Sequence, residues 1–213
     1  VKLKDIKAAA KNNFCDTRKE FVDTFLGEMP GMAGDLDLYP SLLNIINDLQ
    51  SNGVNSNKIS ENLFKIVSHD VAYYWAEQLK VPVLIIEIRI KPDAYYVSMT
   101  GKKSEAFGKP PYASDLYEAI LKDSKHSLLF SDEYLSDKSF DIWARLLKDG
   151  KKISVYDTKE MKPIRISSPE DLKQFYHSTG KRFRFTLSEN HLMDGAIMAK
   201  FNLYRTRKEN NIL

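Results

Sequence analysis

The sequence predicts an α+β domain: a small, mostly antiparallel sheet packed beside a helical layer, with one buried helix at its centre. Three observations carry this expectation. The first 79 residues hold helical apolar stripes broken by loops. The middle holds the apolar run PVLIIEIRI, a turn, and YYVSM. The last third mixes short helices with strand-like segments. Helices first, then helices mixed with strands, is the order of an α+β fold rather than an alternating α/β one. The 213 residues are 43% apolar and 29% charged, enough to bury a core. We read a single domain over 1–213, with a helical N-terminal extension at 1–30 and an α+β core at 34–204.

Residues 2–12 and Thr17–Glu28 read as helices, the second with Phe21, Val22, Phe25 and Leu26 at helical spacing. GEMPGMAG stops any regular element. In DLDLYPSLLNIINDLQ, Pro40 suits a first helical turn, where its missing N–H would have no partner. Leu42, Leu43, Ile45, Ile46 and Leu49 are apolar on nearly every side, which predicts a buried helix. Residues 58–79 predict a long amphipathic helix with Ile59, Leu63, Ile66, Val67, Val71, Tyr74, Trp75 and Leu79 in one stripe.

PVLIIEIRI reads as a strand with Leu84, Ile86, Ile88 and Ile90 on one face and Glu87 and Arg89 on a more polar one. The turn Lys91-Pro92-Asp93-Ala94 makes a hairpin with YYVSM. GKKSEAFGKPPYAS is a surface loop, and Ser114 caps the helix DLYEAILKD. SFDIWARLLKDG is a helix with Phe140, Trp143, Leu146 and Leu147 inward, ended by Gly150. The strand KKISVYD starts at once. SSPEDLKQFYHSTG is a helix capped by Ser168, started by Pro169 and ended by Gly180. RFRFTL is a strand, and HLMDGAIMAKFNLY a strand or a bent strand pair.

Charge and motifs exclude several classes. Lys plus Arg is 32 and Asp plus Glu is 29, a net charge of +3 with no concentrated basic stripe. That speaks against a dedicated nucleic-acid or membrane-surface binder. KRFRF and YRTRKE are read as strand and terminal surface. No run of 18 apolar residues offers a membrane span, and VKLKDIKAAAKNNF has no apolar leader core. One cysteine excludes an intrachain disulfide framework and a Cys-rich zinc site. A reducing compartment is expected, the cytoplasm or a host cell into which the protein is delivered. Neither G-x-G-x-x-G nor G-x-x-x-x-G-K-[ST] occurs, and no two histidines share the i, i+4 spacing of a helical metal site. His69, His126 and His177 read as solvated or helix-end residues. No cofactor and no metal is expected.

The last third carries a resemblance. A helix, KKISVYD, PIRI, a second helix, RFRFTL, and His191 in SENHLMDG resemble the ovarian-tumour (OTU) branch of the papain-like cysteine proteases. In that family the nucleophile lies in D-G-x-C-[LF]-[FY]-x-[AS], at the N-terminus of a buried helix. The corresponding stretch here is GDLDLYPSLLNII, which sets Asp37 on the nucleophile and Ser41 on the small residue. The family's orienting Asp or Asn stands two residues after the His, where this chain has Met193, flanked by Asp194; Asn190 precedes the His. The resemblance implies a papain-like fold engaging ubiquitin or a ubiquitin-like protein, in one of two forms. With Asp37 in the nucleophile's place, the chain binds and does not cut. With Cys15 as nucleophile near a helix start, it is a cysteine isopeptidase: Cys15 attacks the carbonyl, His191 moves the proton, and Asn190 or Asp194 steadies His191.

Two alternatives come from other classes. One is a protein-interaction module, an effector or viral domain without protease ancestry, using the exposed hairpin and loop with Tyr95, Tyr96, Phe107 and Tyr112 as aromatic anchors. Tyr95 and Tyr96 alternate faces, so one of them belongs to the core. The other is a metal-dependent glycosyltransferase, from Asp35 and Asp37 in D-x-D. Against it stands the reading of one of the two aspartates as a cap on the helix that follows.

Overall fold

The computed structural model describes residues 37–188 apart from 93, 125–127, 133, 134, 161 and 177–181. They belong to one compact unit that begins at Asp37. The elements run α1 (Tyr39–Ser51), β1 (Ser56–Ser60), β2 (Leu63–Ser68), β3 (Val71–Gln78), β4 (Val81–Ile90) and β5 (Tyr95–Lys102). Then come α2 (Ala113–Asp123), β6 (Leu128–Phe130), α3 (Asp137–Lys148), β7 (Ile153–Asp157), β8 (Lys162–Arg165), α4 (Pro169–Tyr176) and β9 (Phe183–Ser188). The described strands form one sheet in the order β1-β2-β3-β4-β5-β6-β9-β7-β8. All neighbours are antiparallel except β5 and β6.

The α+β class holds, but the sheet is large and mixed. The helix expected over 58–79 is three strands, β1 to β3. Its apolar residues fit both periods, and the turns decide between them. Glu61-Asn62, His69-Asp70 and Leu79-Lys80 are reversals, with φ of 55° at His69, 52° at Leu79 and 63° at Lys80. Val71 to Trp75 is rich in β-branched and aromatic residues, which pack well on a pleated surface. All five are buried. Leu79, placed in the helical stripe, stands 98% exposed at a hairpin tip.

The expected strand at PVLIIEIRI is β4, paired through the expected hairpin to β5. Leu84, Ile86 and Ile88 share a core with Leu116, Tyr117 and Ile120 of α2, Trp143 and Leu146 of α3, and Leu172 of α4. Trp143 is fully buried, with its ring 5.5 Å from Tyr117 and 6.1 Å from Phe185. The other face of β4 is equally closed: Ile85 and Glu87 are at 0% exposure. Over β4 and β5 lies α1. Thr100 Oγ1 meets Tyr117 of α2 at 3.2 Å, whereas a Cβ on Gly101 would lie 2.8 Å from the Tyr39 backbone. Successive strand residues face opposite ways, so α1 covers the face that α2 does not.

Helix α1 is therefore not buried all round. Tyr39, Leu42, Ile46 and Leu49 face the sheet, while Asn44, Asn47 and Asp48 are exposed. The α2 helix starts at Ala113 with Tyr112 before it; Ser114 is not its cap but lies in the first turn, buried. Ser136 caps α3, accepting from Ser139 N–H at 3.2 Å. Ser168 caps α4 as expected, accepting from Asp171 N–H at 3.1 Å. The expected helices at 2–12 and 17–28, and the strand at HLMDGAIMAKFNLY, lie outside the described residues. No described helix is long and apolar enough to cross a membrane.

Candidate functional site

The one parallel junction of the described sheet is its most distinctive feature. It is a β-α-β unit: β5, the crossing helix α2, then β6. Only two residue pairs join the strands, Tyr95 with Leu129 and Tyr96 with Phe130. After Phe130 the chain turns to β9. Ser131 N–H donates to Phe185 O at 2.8 Å, and Ser131 Oγ accepts from Phe185 N–H at 3.0 Å. Strand β5 runs on to Lys102, held only by β4 among the described strands. The two strands thus part, and among the described strands none pairs with Val97–Lys102 on the side facing Ser131; this unpaired gap is the slot referred to below.

The slot has a defined inner end. Tyr96 and Phe130 stack across the last pair, with ring centroids 5.0 Å apart and planes 14° apart. Tyr156 meets Phe130 edge-on at 5.9 Å, and Lys91 Nζ sits 4.4 Å from the Tyr96 ring centre. A β-bulge lies beside this end: Ile88 pairs with Val97 and Glu87 with Met99, so Ser98 is the extra residue. Such a bulge sharpens the local twist and turns the strand away from its neighbour. Glu87 and Tyr73 are direct cross-strand partners, both fully buried, on the face that α1 covers. The sequence marked Glu87 as polar, but not as buried; the slot depends on pairing between distant strands and left no local signal.

The outer end of β5 leads into the loop over 103–112. Tyr112 lies between two cations: Arg145 is 4.0 Å and Lys102 Nζ 5.3 Å from its ring. Lys102 Nζ also donates to Pro111 O at 2.8 Å and to Lys109 O. Burial, with Arg145 adding repulsion, holds the Lys102 ammonium below its usual range despite the attraction of Asp115. Gln78 ties the Leu79 hairpin to this loop, donating to Pro110 O at 2.7 Å.

Of the residues named from the sequence, Asp37 is a cap: its Oδ1 accepts from Tyr39 N–H at 3.1 Å. It stands at the start of α1, and the residues before it, Asp35 of the D-x-D pair included, lie outside the described residues. Cys15, Asp35, Asn190, His191 and Asp194 lie outside the described residues. Tyr95 is core and Tyr96 half-buried, the division expected from their alternation. Phe107 is 52% exposed, and Tyr112 is half-buried between its cations.

No protein-family model and no curated protein matches the chain. Among solved structures, it is similar to a putative acetyltransferase from the GNAT family from Bacteroides thetaiotaomicron, with 8% identity over 92% of each chain and a TM-score of 0.40. At that score the likeness assigns no activity. The nine-stranded mixed sheet of the described residues, with three strands where a long helix was expected, is not the small, mostly antiparallel sheet that the resemblance implied. The OTU resemblance, with the ubiquitin-engaging cysteine-protease and dead-protease functions it implied, is therefore corrected: an order of short strands and helices in the last third is shared by unrelated folds.

Proposed function

We propose that this domain binds an acyl thioester carried on an extended, amide-bearing arm and passes the acyl group to a nucleophilic acceptor. The observation that supports this reading is the parting of β5 and β6 after two residue pairs. In sheets with parallel strands, ligands favour the crevice beyond the carboxyl ends of the strands where the connection changes direction. A bared strand edge pairs with an extended segment that offers amides of its own. A pantetheine thioester, as in coenzyme A, meets both demands: it is extended, carries two amides, and ends in an activated acyl group. Laid along Val97–Lys102, its arm would bring the acyl end toward the Tyr96–Phe130 floor and the bulge at Ser98.

The thioester supplies the activated acyl carbon. The acyl–sulfur bond breaks, an acyl–acceptor bond forms, and the acceptor's proton ends on the departing thiolate.

The test is equilibrium binding of S-acetylpantetheine to the full chain, followed by calorimetry and by amide exchange. Binding with slowed exchange at Val97–Lys102, weakened about tenfold by methylating both ligand amides, supports the reading. No binding at millimolar ligand, or equal binding of the methylated analogue, overturns it.

A further inference from the structure

We propose that the tip of the β3–β4 hairpin and the loop over 103–112 form a peripheral docking site for an anionic phospholipid surface, with Leu79, Val81 and Phe107 entering the headgroup layer. Four large apolar side chains are exposed among the described residues, and three of them stand here: Leu79 at 98%, Phe107 at 52% and Val81 at 45%. The fourth, Val67, lies beside the β2–β3 turn at the other end of these strands. Gln78 Nε2 donates to Pro110 O at 2.7 Å and Lys103 N–H to Val83 O at 2.9 Å, so tip and loop are tied together. Leu79 holds φ at 52° and gains nothing by burial. A strained and fully exposed leucine costs the fold, and a cluster of exposed apolar groups around it marks a contact surface. The inference is independent of the acyl-thioester reading.

The charge around the three selects what covers them. Lys80, Lys109 and Lys138 are exposed, and Lys138 Nζ is 5.4 Å from the Phe107 ring centre. The adjoining carboxylates are engaged: Glu105 pairs with Lys103 at 3.9 Å, Glu77 accepts from Trp75 Nε1 at 3.0 Å, and Asp137 accepts from the Tyr176 hydroxyl. These lysines come from segments tens of residues apart, so the sequence shows no basic stripe and a net charge of only +3. Apolar side chains projecting among cations match a surface that is anionic outside and apolar beneath. Lysine stems can lie along the apolar layer while their ammonium groups stay with the phosphates. Leu79 and Phe107 project from a hairpin tip and a loop. A fluid headgroup layer closes around such protrusions, whereas a folded acidic protein needs a matching pit for each.

The experiment sediments the full chain with vesicles of phosphatidylcholine, alone or with about 30% phosphatidylserine. One variant is Leu79→Asn with Phe107→Ser; the other is Lys80→Gln with Lys109→Gln and Lys138→Gln. All these positions are exposed, and urea midpoints check that each variant folds. The wild type should bind the anionic vesicles at least about tenfold more tightly than the neutral ones, and each variant should lose about tenfold. Trp75 and Trp143 are buried, so Phe107→Trp adds an exposed reporter, whose emission should be quenched by brominated lipid chains in anionic vesicles. No binding of the wild type to anionic vesicles overturns the proposal. So does binding that the lysine variant loses and the apolar variant keeps, or a bound Phe107→Trp without quenching, because charge alone would then hold the protein. Soluble polyglutamate bound as tightly as the vesicles, with Leu79 and Phe107 needed for both, would reject the membrane and assign the patch to an acidic protein.

Discussion

Gly101 of β5 and Tyr39 of α1 meet backbone to backbone. A Cβ on Gly101 would stand 2.8 Å from both Cα and N of Tyr39. No side chain can swing away from that contact, because the opposing atoms are main chain. Tyr39 fixes the same helix end from the other side by donating its hydroxyl proton to Pro82 O. Gly101→Ala is expected to lift α1 from the sheet and to destabilise the domain by about 1–3 kcal/mol, read as a lower urea midpoint. An unchanged midpoint would mean that α1 does not rest on β5 at this position.

Asp157 answers to pH. It is buried at the end of β7 and accepts from Arg182 Nη2 at 2.7 Å, from Arg182 Nε, and from the N–H groups of Lys159 and Glu160. The Arg182 hydrogen bond foremost, with the two backbone donors outweighing burial, holds its carboxyl down to about 2. A folded pKa below the unfolded one contributes stability that is complete above the ordinary carboxylate range and is lost as pH falls toward about 2. Asp157→Asn should flatten the acid limb of the stability curve between about pH 5 and 2, and should cost about 1–3 kcal/mol at neutral pH. An acid limb identical to the wild type's would exclude Asp157 as its source.

The alkaline limb has a separate origin. Burial pushes the Tyr117 phenol up to about 12, against the lowering effect of its hydrogen bond with Thr100. Burial, then the Asp123 hydrogen bond, raises Tyr74 further. A folded state that holds its phenol protons more tightly keeps this stability below pH 10 and loses it as pH rises past about 10 toward 12. Tyr117→Phe should reduce the loss over that range, as followed by circular dichroism with phenolate absorbance. Phenolate absorbance from Tyr117 near pH 10, with the fold intact, would contradict the buried hydroxyl.

Leu79 and Lys80 form the tip of the β3–β4 hairpin with φ of 52° and 63°. Side chains other than Asn, Asp and Gly are strained there, and Leu79 gains nothing by burial. The double substitution Leu79→Asn with Lys80→Gly is expected to stabilise the domain by about 1 kcal/mol. A lower melting temperature would show that Leu79 makes a contact that its exposure does not reveal.

The sequence was legible wherever local rules acted without competition. Pro40 opening α1, Ser168 before Pro169, and Gly150 after α3 punctuate their helices as read. PVLIIEIRI read as a strand because a Pro-Asp turn signal follows it, and Lys91 N–H does donate to Ala94 O at 3.0 Å. The 58–79 stretch misled because Ile59, Leu63, Ile66 and Tyr74 satisfy a helical stripe and a set of paired strands equally. The reversals at His69-Asp70 and Leu79-Lys80 carry neither glycine nor proline. Asp37 carried two readings from the sequence, a cap on the following helix and a member of a site motif, and its hydrogen bond from Tyr39 N–H bears out the cap.

By itself the sequence determined the α+β class, the starts of α1 at Pro40 and α4 at Ser168-Pro169, the central β4–β5 hairpin and the absence of phosphate-loop motifs, because these depend on neighbours a few residues apart. The tertiary structure alone decided that β5 and β6 run parallel and part after Phe130, that Ser98 bulges there, and that Glu87 is buried opposite Tyr73. Those features arise from pairing between segments tens of residues apart. Strand register is set by the whole buried face at once, and no short stretch of sequence encodes it.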